Sequence, residues 1–410
     1  MTPRRVAVTG IGPVTPAGTG IKAFEESLFE GRSGIGELTR FRLDGFPVRA
    51  AGEVRDFRAE DYLDGRQARR TERFAQFGIA AARLAMEDAG PAQAGLNPER
   101  AGVVIATAYA GLDRVAAEAV GLTERSWRRI SPAVSMSMMP TAAAGMVSME
   151  YGFTGPVECP TSGCAASGHA LSRGTELIRN GTADLVLAGG CDASLHPVAL
   201  AAFVAARALA TRAEDPARSC RPFDADRDGF VMSEGATVLV LEDMDRARAR
   251  GARVYGEIVG YGHTGDAYNL STPRPDGRGA TAAMALALRM AGRRPAEVGY
   301  VNAHAAGTRA GDAAEVRALR ELFGPCLPPV SSTKSVHGHL MGGTAATEAA
   351  AALLALHRGV LPPTAHYDTV DPECDIDVVA NKSRGTDAEL ALSNSFALGG
   401  VNCSLALAKA

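Results

Sequence analysis

Cys164 stands at the predicted start of a helix that runs from Ala165 to Asn180 and ends at Gly181. Apolar residues recur there at helical spacing among small residues. A helix N-terminus presents unpaired N–H groups that favour thiolate, the nucleophilic form of cysteine. The pattern therefore predicts a cysteine nucleophile, and a buried inert cysteine is the alternative.

Two histidines in glycine-flanked segments are its expected partners. His304 follows an apolar strand at 298–303, so it is predicted to lie at the carboxyl end of that strand, where open α/β sheets place their chemistry. His339 follows a second apolar segment that begins at Val330. Each histidine alone fits a structural role, but the cysteine and both histidines together indicate nucleophilic catalysis.

Six further segments, in this order, give the chain a family resemblance. They are VAVTGIG at 6–12, TPAG at 15–18, ADLVLAGG at 183–190, RPFD at 221–224, RDGFV at 227–231 and NSFALGGVN at 394–402. With the cysteine and histidine segments, they resemble the β-ketoacyl-acyl-carrier-protein synthases, the condensing enzymes of fatty-acid and polyketide assembly. The resemblance covers nearly the whole chain.

The set of partners indicates the subfamily. Thiolases carry a second catalytic cysteine near the C-terminus, and initiating synthases pair cysteine with histidine and asparagine. This chain has Cys-His-His together with Lys334, which resembles the elongating synthases. Cys403 lies near the C-terminus, but its apolar alternating surroundings predict a core position in a strand.

The resemblance implies a decarboxylative Claisen condensation. Cys164 would take the acyl chain from a carrier thioester, while backbone N–H groups of Cys164 and Leu398 stabilise the oxyanion. His304 and His339 would hydrogen-bond the enolate formed when a malonyl-type carrier thioester loses CO2. Lys334 is implied to form a buried salt bridge with Glu348 that shapes the histidine pocket. Two unpaired surface charges are the alternative for that pair.

The resemblance also implies a pocket for the acyl chain and the pantetheine arm. Its residues would be Tyr109, Thr308, Phe230, Phe396 and Leu398. Elongating synthases usually have glycine and then a hydroxyl residue after the first histidine, where this chain has two alanines. Leu398 replaces a common gating phenylalanine, and Tyr109 replaces a smaller residue, so we expect an acyl tunnel of altered shape. A Tyr109 that only caps the core is the alternative.

Two basic clusters are expected to receive an acidic carrier protein, because both lie where related enzymes dock their carriers. They are Arg66, Arg69, Arg70 and Arg73, then Arg125, Arg128 and Arg129 beside Trp127. Ordinary solvated arginines are the alternative.

Length and composition agree with a compact soluble enzyme, and the lack of a predicted membrane span or signal sequence leads us to expect a cytoplasmic protein. The 410 residues are 46% hydrophobic and 5% aromatic, enough for a large core built mainly of small aliphatic side chains. The net charge of −3 does not suggest nucleic acid. No apolar run reaches the roughly 18 residues of a membrane span, and the first residues lead into a strand rather than a signal sequence. Seven cysteines without paired spacing predict neither a disulfide framework nor a structural zinc site.

Periodicity predicts alternating strands and helices, hence a layered α/β protein. Strands are expected at 5–11, 101–107, 184–189, 236–242, 254–260, 298–303 and 388–407, and helices at 71–89, 279–291, 312–322 and 344–357. The resemblance implies a thiolase-like fold, two βαβαβαββ halves in an αβαβα five-layer sandwich. We place the halves at 1–250, carrying the cysteine, and 251–410, carrying both histidines. No repeat is evident in the letters.

The resemblance implies a free-standing, type II component that has no cofactor of its own, since its substrates ride on the phosphopantetheine of a separate acyl carrier protein. The family forms dimers, either with itself or with a chain-length-factor-like sister. Motif details favour the polyketide branch over fatty-acid elongation. A catalytically silent partner subunit and a degradative thiolase are the rival classes, both disfavoured by the Cys-His-His set.

Overall fold

The computed structural model describes residues 3–124, 126–212 and 214–410. Its strands are β1 (Val6–Thr15), β2 (Gly18–Thr19), β3 (Gly36–Glu37), β4 (Ala50–Ala51), β5 (Ala101–Ala106), β6 (Val157–Glu158), β7 (Leu185–Asp192), β8 (Gly235–Asp243), β9 (Gly256–Gly265), β10 (Tyr300–Asn302), β11 (Val330–Ser331), β12 (Val360–Leu361), β13 (Arg384–Gly385), β14 (Leu390–Ala397) and β15 (Val401–Ala408).

The helices alternate with these strands. They are α1 (Ile21–Glu30), α2 (Gly65–Arg70), α3 (Arg73–Ala89), α4 (Leu112–Glu124), α5 (Ala133–Ser137), α6 (Ala142–Tyr151), α7 (Ala166–Arg179), α8 (Pro197–Ala205), α9 (Met244–Ala249), α10 (Arg278–Ala291), α11 (Arg309–Phe323), α12 (Lys334–His337) and α13 (Thr344–Arg358).

The main sheet repeats one topology twice. Its strand order is β11-β10-β14-β15-β9-β1-β8-β7-β5-β6, with β2 added beside β1. On each side of the β9–β1 junction, the order from the outer edge inward to the junction is third, second, fourth, fifth and first strand of that half. The second, third and fourth strands are parallel and the others antiparallel in both halves. The duplicated arrangement expected from the resemblance is therefore present.

Helices cover both faces of the sheet and separate its halves. α3 and α6 pack on one outer face and α10 and α11 on the other, while α7 and α13 contact each other and strands from both halves. From Thr344 to Leu356 every residue of α13 is buried. A helix that is buried on every side belongs in the middle of a protein. The result is the expected five-layer α/β sandwich.

Equivalent glycines let the first strand of each half touch its outer helix. A Cβ on Gly12 in β1 would lie 2.0 Å from the carbonyl oxygen of Ala81 in α3, and a Cβ on Gly262 in β9 would lie 2.0 Å from that of Ala283 in α10. No side chain fits at such a distance. The pattern Gly-x-Gly, at 10–12 and 260–262, is a repeat that the sequence analysis did not detect.

The predicted elements are found with their ends shifted by a few residues, and the apolar stretch 388–407 forms the hairpin of β14 and β15. The segment before His339 is not extended, because α12 and Gly338, with φ of 70°, turn the chain there. The division of the chain at residues 250 and 251 stays a prediction. Among the described helices, none has the length and apolar character needed to cross a membrane.

Candidate active site

Cys164 lies in a tight turn, Gly163–Ala165, that leads directly into α7. Gly163 has φ of 60°, a left-handed conformation that suits glycine. The residue is only 6% exposed, and the backbone N–H groups of Cys164 and Leu398 favour its thiolate. Leu398 belongs to the turn between β14 and β15, so the two halves of the sheet meet at the thiol.

Burial changes the expected chemistry of this thiol. It raises the pKa of Cys164 to about 11, although Lys334 and the two backbone N–H groups favour the thiolate. The sequence pattern predicted a pKa lowered by the helix N-terminus, and that prediction is wrong for the resting protein. Loss of hydration outweighs the favourable dipoles because the sulfur lies beneath the protein surface.

Both histidines reach the cysteine from loops that follow parallel strands. His304 follows β10, and His339 follows β11 and the short helix α12. The carboxyl ends of these strands meet at one edge of the sheet. The two rings are 5.5 Å apart between centroids and nearly perpendicular.

A buried ion pair orients His304. Lys334 Nζ lies 2.5 Å from Glu348 Oε1, and both side chains are fully buried. Nζ also lies 3.3 Å from Nδ1 of His304. Because an ammonium group only donates, Nδ1 must accept, and the ring of a neutral His304 carries its proton on Nε2.

The turn after His339 sets its tautomer in the same way. The backbone N–H of Met341 donates to Nδ1 of His339 at 3.1 Å, and the Thr344 hydroxyl lies 2.8 Å from the same nitrogen. A neutral His339 therefore also carries its proton on Nε2. Burial first, and then the charge of Lys334, hold the pKa of both His304 and His339 well below the ordinary value. The site presents two neutral imidazoles as N–H donors.

A cavity of about 440 Å³ opens onto these groups. Cys164, His304 and His339 line it, and so do four of the predicted pocket residues: Thr308, Phe230, Phe396 and Leu398. Tyr109 lies outside its lining and packs instead in the apolar cluster that contains Cys164. The structure therefore does not place Tyr109 in the pocket predicted for it.

Buried carboxylates that the sequence analysis missed hold the loops of the site. Glu315 of α11 accepts the backbone N–H groups of His304 at 2.9 Å and Ala305 at 2.7 Å, and burial raises its pKa to about 7. Asp192, at the end of β7, accepts the N–H groups of Tyr109 and Gly342, and burial raises its pKa to about 6. Helical spacing marked Glu315 only as a helix residue, so no sequence signal identified it.

Among the predicted docking arginines that the structure describes, all but Arg73 are exposed. Arg66, Arg69, Arg70, Arg128 and Arg129 are exposed. Arg73 instead is half-buried and makes a two-pronged ion pair with buried Glu234, at 2.8 and 2.7 Å, and its place in the docking cluster stays a prediction. Arg125 lies outside the described residues.

Further arginines surround the mouth of the cavity. Arg207, Arg212 and Arg309 line it and are exposed. They are positioned by loops and by the start of α11, which is why the sequence analysis did not group them.

Cys403 lies in β15, is 1% exposed and does not line the cavity, as expected for a core residue. Among the residues that the structure describes, Cys164 is the one cysteine that lines the cavity.

The chain belongs to the β-ketoacyl synthase family. The model of the β-ketoacyl synthase N-terminal domain matches residues 3–247, and that of the C-terminal domain matches residues 255–368. This membership confirms the expected acyltransferase class.

Two relatives that match over nearly their whole length support the same family membership. The chain is 42% identical over 408 residues to a 3-oxoacyl-[acyl-carrier-protein] synthase 2 of Synechocystis, covering 99% of this chain and 98% of that one. It is 40% identical over 411 residues to the protein of the same name from Staphylococcus aureus strain COL, with the same coverage.

Solved structures confirm the thiolase-like fold. One is a ketosynthase described as bound to the hexaketide and in complex with its type II polyketide synthase acyl-carrier protein, with a TM-score of 0.92, 32% identity and full coverage of both chains. Another is the ishigamide ketosynthase/chain length factor, with a TM-score of 0.93, 33% identity and full coverage of both chains.

Proposed function

We propose that this chain performs the elongating condensation of a type II polyketide synthase, with Cys164 as nucleophile and His304 and His339 as enolate-stabilising donors. One observation carries the proposal: the thiol and two Nε2–H donors converge in a single cavity, with Lys334 behind them.

The first step is thioester exchange. The Cys164 sulfur attacks the carbonyl carbon of an acyl thioester, loses its proton and releases the carrier as a free thiol. The backbone N–H groups of Cys164 and Leu398, which favour negative charge on the sulfur, would stabilise the oxyanion that forms beside it. Each such donor is worth a few kcal/mol, about 2.7–4 in a comparable site.

The second step forms the new carbon–carbon bond. A malonyl-type thioester loses CO2, and the electron pair of the broken bond becomes an enolate whose oxygen accepts from Nε2 of His304 and His339. The enolate carbon then attacks the acyl carbon on Cys164, and the cysteine sulfur leaves and regains a proton. Neutral histidines suit this role because each carries a proton on Nε2 and can donate it in a hydrogen bond to the enolate oxygen.

Substrates would arrive on the phosphopantetheine arm of a separate acyl carrier protein, so the chain would need no cofactor of its own. The exposed arginines on α2 and after Ser126, together with those at the cavity mouth, supply the positive surface that an acidic carrier would contact. Cytoplasm is the compartment we propose, consistent with the free cysteines of the described chain.

A pairing surface is proposed at the edge of the sheet formed by β6. Large apolar side chains are exposed in the neighbouring part of the chain: Val120, Leu122, Trp127, Met136, Met138, Met139, Met149 and Val157. An exposed apolar group beside an open strand edge is typical of a protein interface. We propose that a second copy or a chain-length-factor-like sister covers it, and light scattering of the purified chain would distinguish a homodimer from a monomer awaiting its sister.

Fatty-acid elongation by a homodimer is the second candidate. It is favoured by the higher identity to the two 3-oxoacyl synthases than to the polyketide structures. Competition between saturated and β-keto acyl-carrier thioesters for Cys164 separates the two, since a polyketide enzyme must accept unreduced chains.

The test of the condensation is intact-protein mass spectrometry. The purified chain is mixed with an acyl-carrier thioester and then with malonyl-carrier, beside Cys164→Ala. An adduct that needs Cys164 and disappears as an extended product forms would support the proposal. An adduct without extension would indicate a missing partner subunit, and no adduct would support the catalytically silent subunit instead.

A further inference from the structure

Three side chains with metal-ligating atoms lie close together, apart from the active-site cavity. One ring nitrogen of His169, one of His263 and the sulfur of Cys403 all lie within 4.8 Å of one another. None of the three residues lines the cavity. The condensation proposed above makes no use of them.

Three regular elements bring these side chains together. Cys403 in β15 lies directly opposite His263 in β9, so their side chains project from the same face of the sheet. His169 lies on α7, which packs against that face, and its ring centroid is 4.2 Å from that of His263. Sites built on strands and helices hold their geometry better than sites on loops.

His169 has one nitrogen in use and one without a partner. Its Nδ1 lies 2.7 Å from Oγ of Ser162, whereas its Nε2 is buried and makes no hydrogen bond. Leaving a buried polar atom unpaired destabilises a protein, so this nitrogen would gain from a partner. A histidine bound to metal through one nitrogen characteristically donates from the other to an oxygen, which is the arrangement that Ser162 offers.

We propose that His169, His263 and Cys403 bind a zinc ion, with water as the fourth ligand. Two imidazoles and a thiolate are donors that zinc favours in tetrahedral sites. His263 is exposed, so solvent reaches the open position. Nε2 of His169 is the nitrogen that would bind.

Binding requires defined changes. Zinc–nitrogen bonds of about 2.0–2.1 Å and a zinc–sulfur bond of about 2.3 Å require the three donors to move closer together. Burial raises the pKa of Cys403 to about 12, so zinc must displace the thiol proton to solvent as the zinc–sulfur bond forms. Zinc on Nε2 of His263 would replace its 2.9 Å hydrogen bond to Ser172.

Cobalt reports the site directly, because a thiolate bound to Co²⁺ gives a charge-transfer absorption band. The full chain, stripped with a chelator, is titrated with Co²⁺ and then with Zn²⁺. We expect one equivalent of cobalt, a charge-transfer band, and its loss as zinc displaces the more weakly held cobalt. His263→Ala and Cys403→Ser should abolish the band and weaken zinc binding at least tenfold in competition with a chromophoric chelator.

Matched variants keep the result interpretable. Cys326→Ser, at an exposed cysteine, and Cys164→Ala should both retain the band. His263→Ala alters an exposed side chain, so the native circular dichroism should be unchanged and loss of the band cannot be ascribed to unfolding. No band in the unaltered chain would overturn the proposal, as would a band that survives Cys403→Ser but disappears with Cys164→Ala, which would place the metal at the active site.

Discussion

At the scale of single residues, burial decides the reactivity of Cys164. With a pKa raised to about 11, the thiolate fraction at neutral pH is only about one in ten thousand and grows tenfold with each pH unit. The second-order rate of alkylation by iodoacetamide should therefore rise tenfold per unit from pH 7 to pH 10. Mass spectrometry of the Cys164 peptide measures it, with Cys164→Ser as the blank. A plateau below pH 8 would instead indicate the low-pKa thiolate that the helix N-terminus suggested.

The Lys334–Glu348 pair has a structural and a functional consequence that can be separated. Lys334→Met should cost about 3–5 kcal/mol of stability, because it leaves Glu348 buried without its partner. It should also lower malonyl decarboxylation about 100-fold or more, since Nδ1 of His304 loses its donor. Urea unfolding and CO2 release measure the two effects.

The double variant Lys334→Met/Glu348→Leu distinguishes them. Replacing a whole buried pair by apolar side chains is often neutral, so stability should return while decarboxylation does not. Lys382→Ala, at an exposed lysine, should change neither quantity. Recovery of activity in the double variant would show that Lys334 acts only through folding.

Much of the site could be predicted from the sequence, but its protonation could not. Cys164, His304 and His339 were identifiable from segment order and spacing, and they do line one cavity. The pKa of Cys164 depends on how deeply the folded chain buries its sulfur, and the tautomer of His339 depends on the N–H of Met341. Both are products of tertiary packing that no local pattern encodes.

At the scale of elements, the close approach of strand to helix in each half should tolerate no added carbon. Gly12→Ala and Gly262→Ala would each bring a Cβ to 2.0 Å from a helix carbonyl oxygen, so each should lose about 3 kcal/mol of stability. Gly145→Ala is the control, because it lies in α6 with nothing within 4 Å of its Cβ, and should gain about 0.5–1 kcal/mol. Urea midpoints compare all three. Wild-type stability in either strand variant would contradict the equivalence of the halves.

The positions of the strands and helices could be predicted from the sequence, but the duplication of the fold could not. Strand and helix positions followed from periodicity, because small buried residues and turn glycines recur at the right intervals. The duplication of the fold could not be predicted in this way, because equivalent positions of the two halves share a packing requirement rather than the same amino acids. The pattern Gly-x-Gly at 10–12 and 260–262 is a sequence feature that both halves share. A repeat of three residues is too short to be recognised before the strand order is known.

At the scale of the whole molecule, the exposed arginines of α2 and those next to Trp127 define a basic face. If an acidic carrier docks there, Arg69→Glu or Arg129→Glu should slow acylation of Cys164 by acyl-carrier at least tenfold, and the loss should shrink as salt screens the charges. Acylation by a small acyl thioester should be unchanged, because the cavity and its catalytic groups are untouched.

Stopped-flow mixing with both donors measures the two rates in each variant. Arg289→Glu makes the same charge change at an exposed position on α10, the outer helix of the other half, and should leave both rates at their original values. Equal slowing with carrier and small thioester would mean that the arginines support the site rather than the carrier. Equal slowing by Arg289→Glu would mean that net charge, and not this face, governs the encounter.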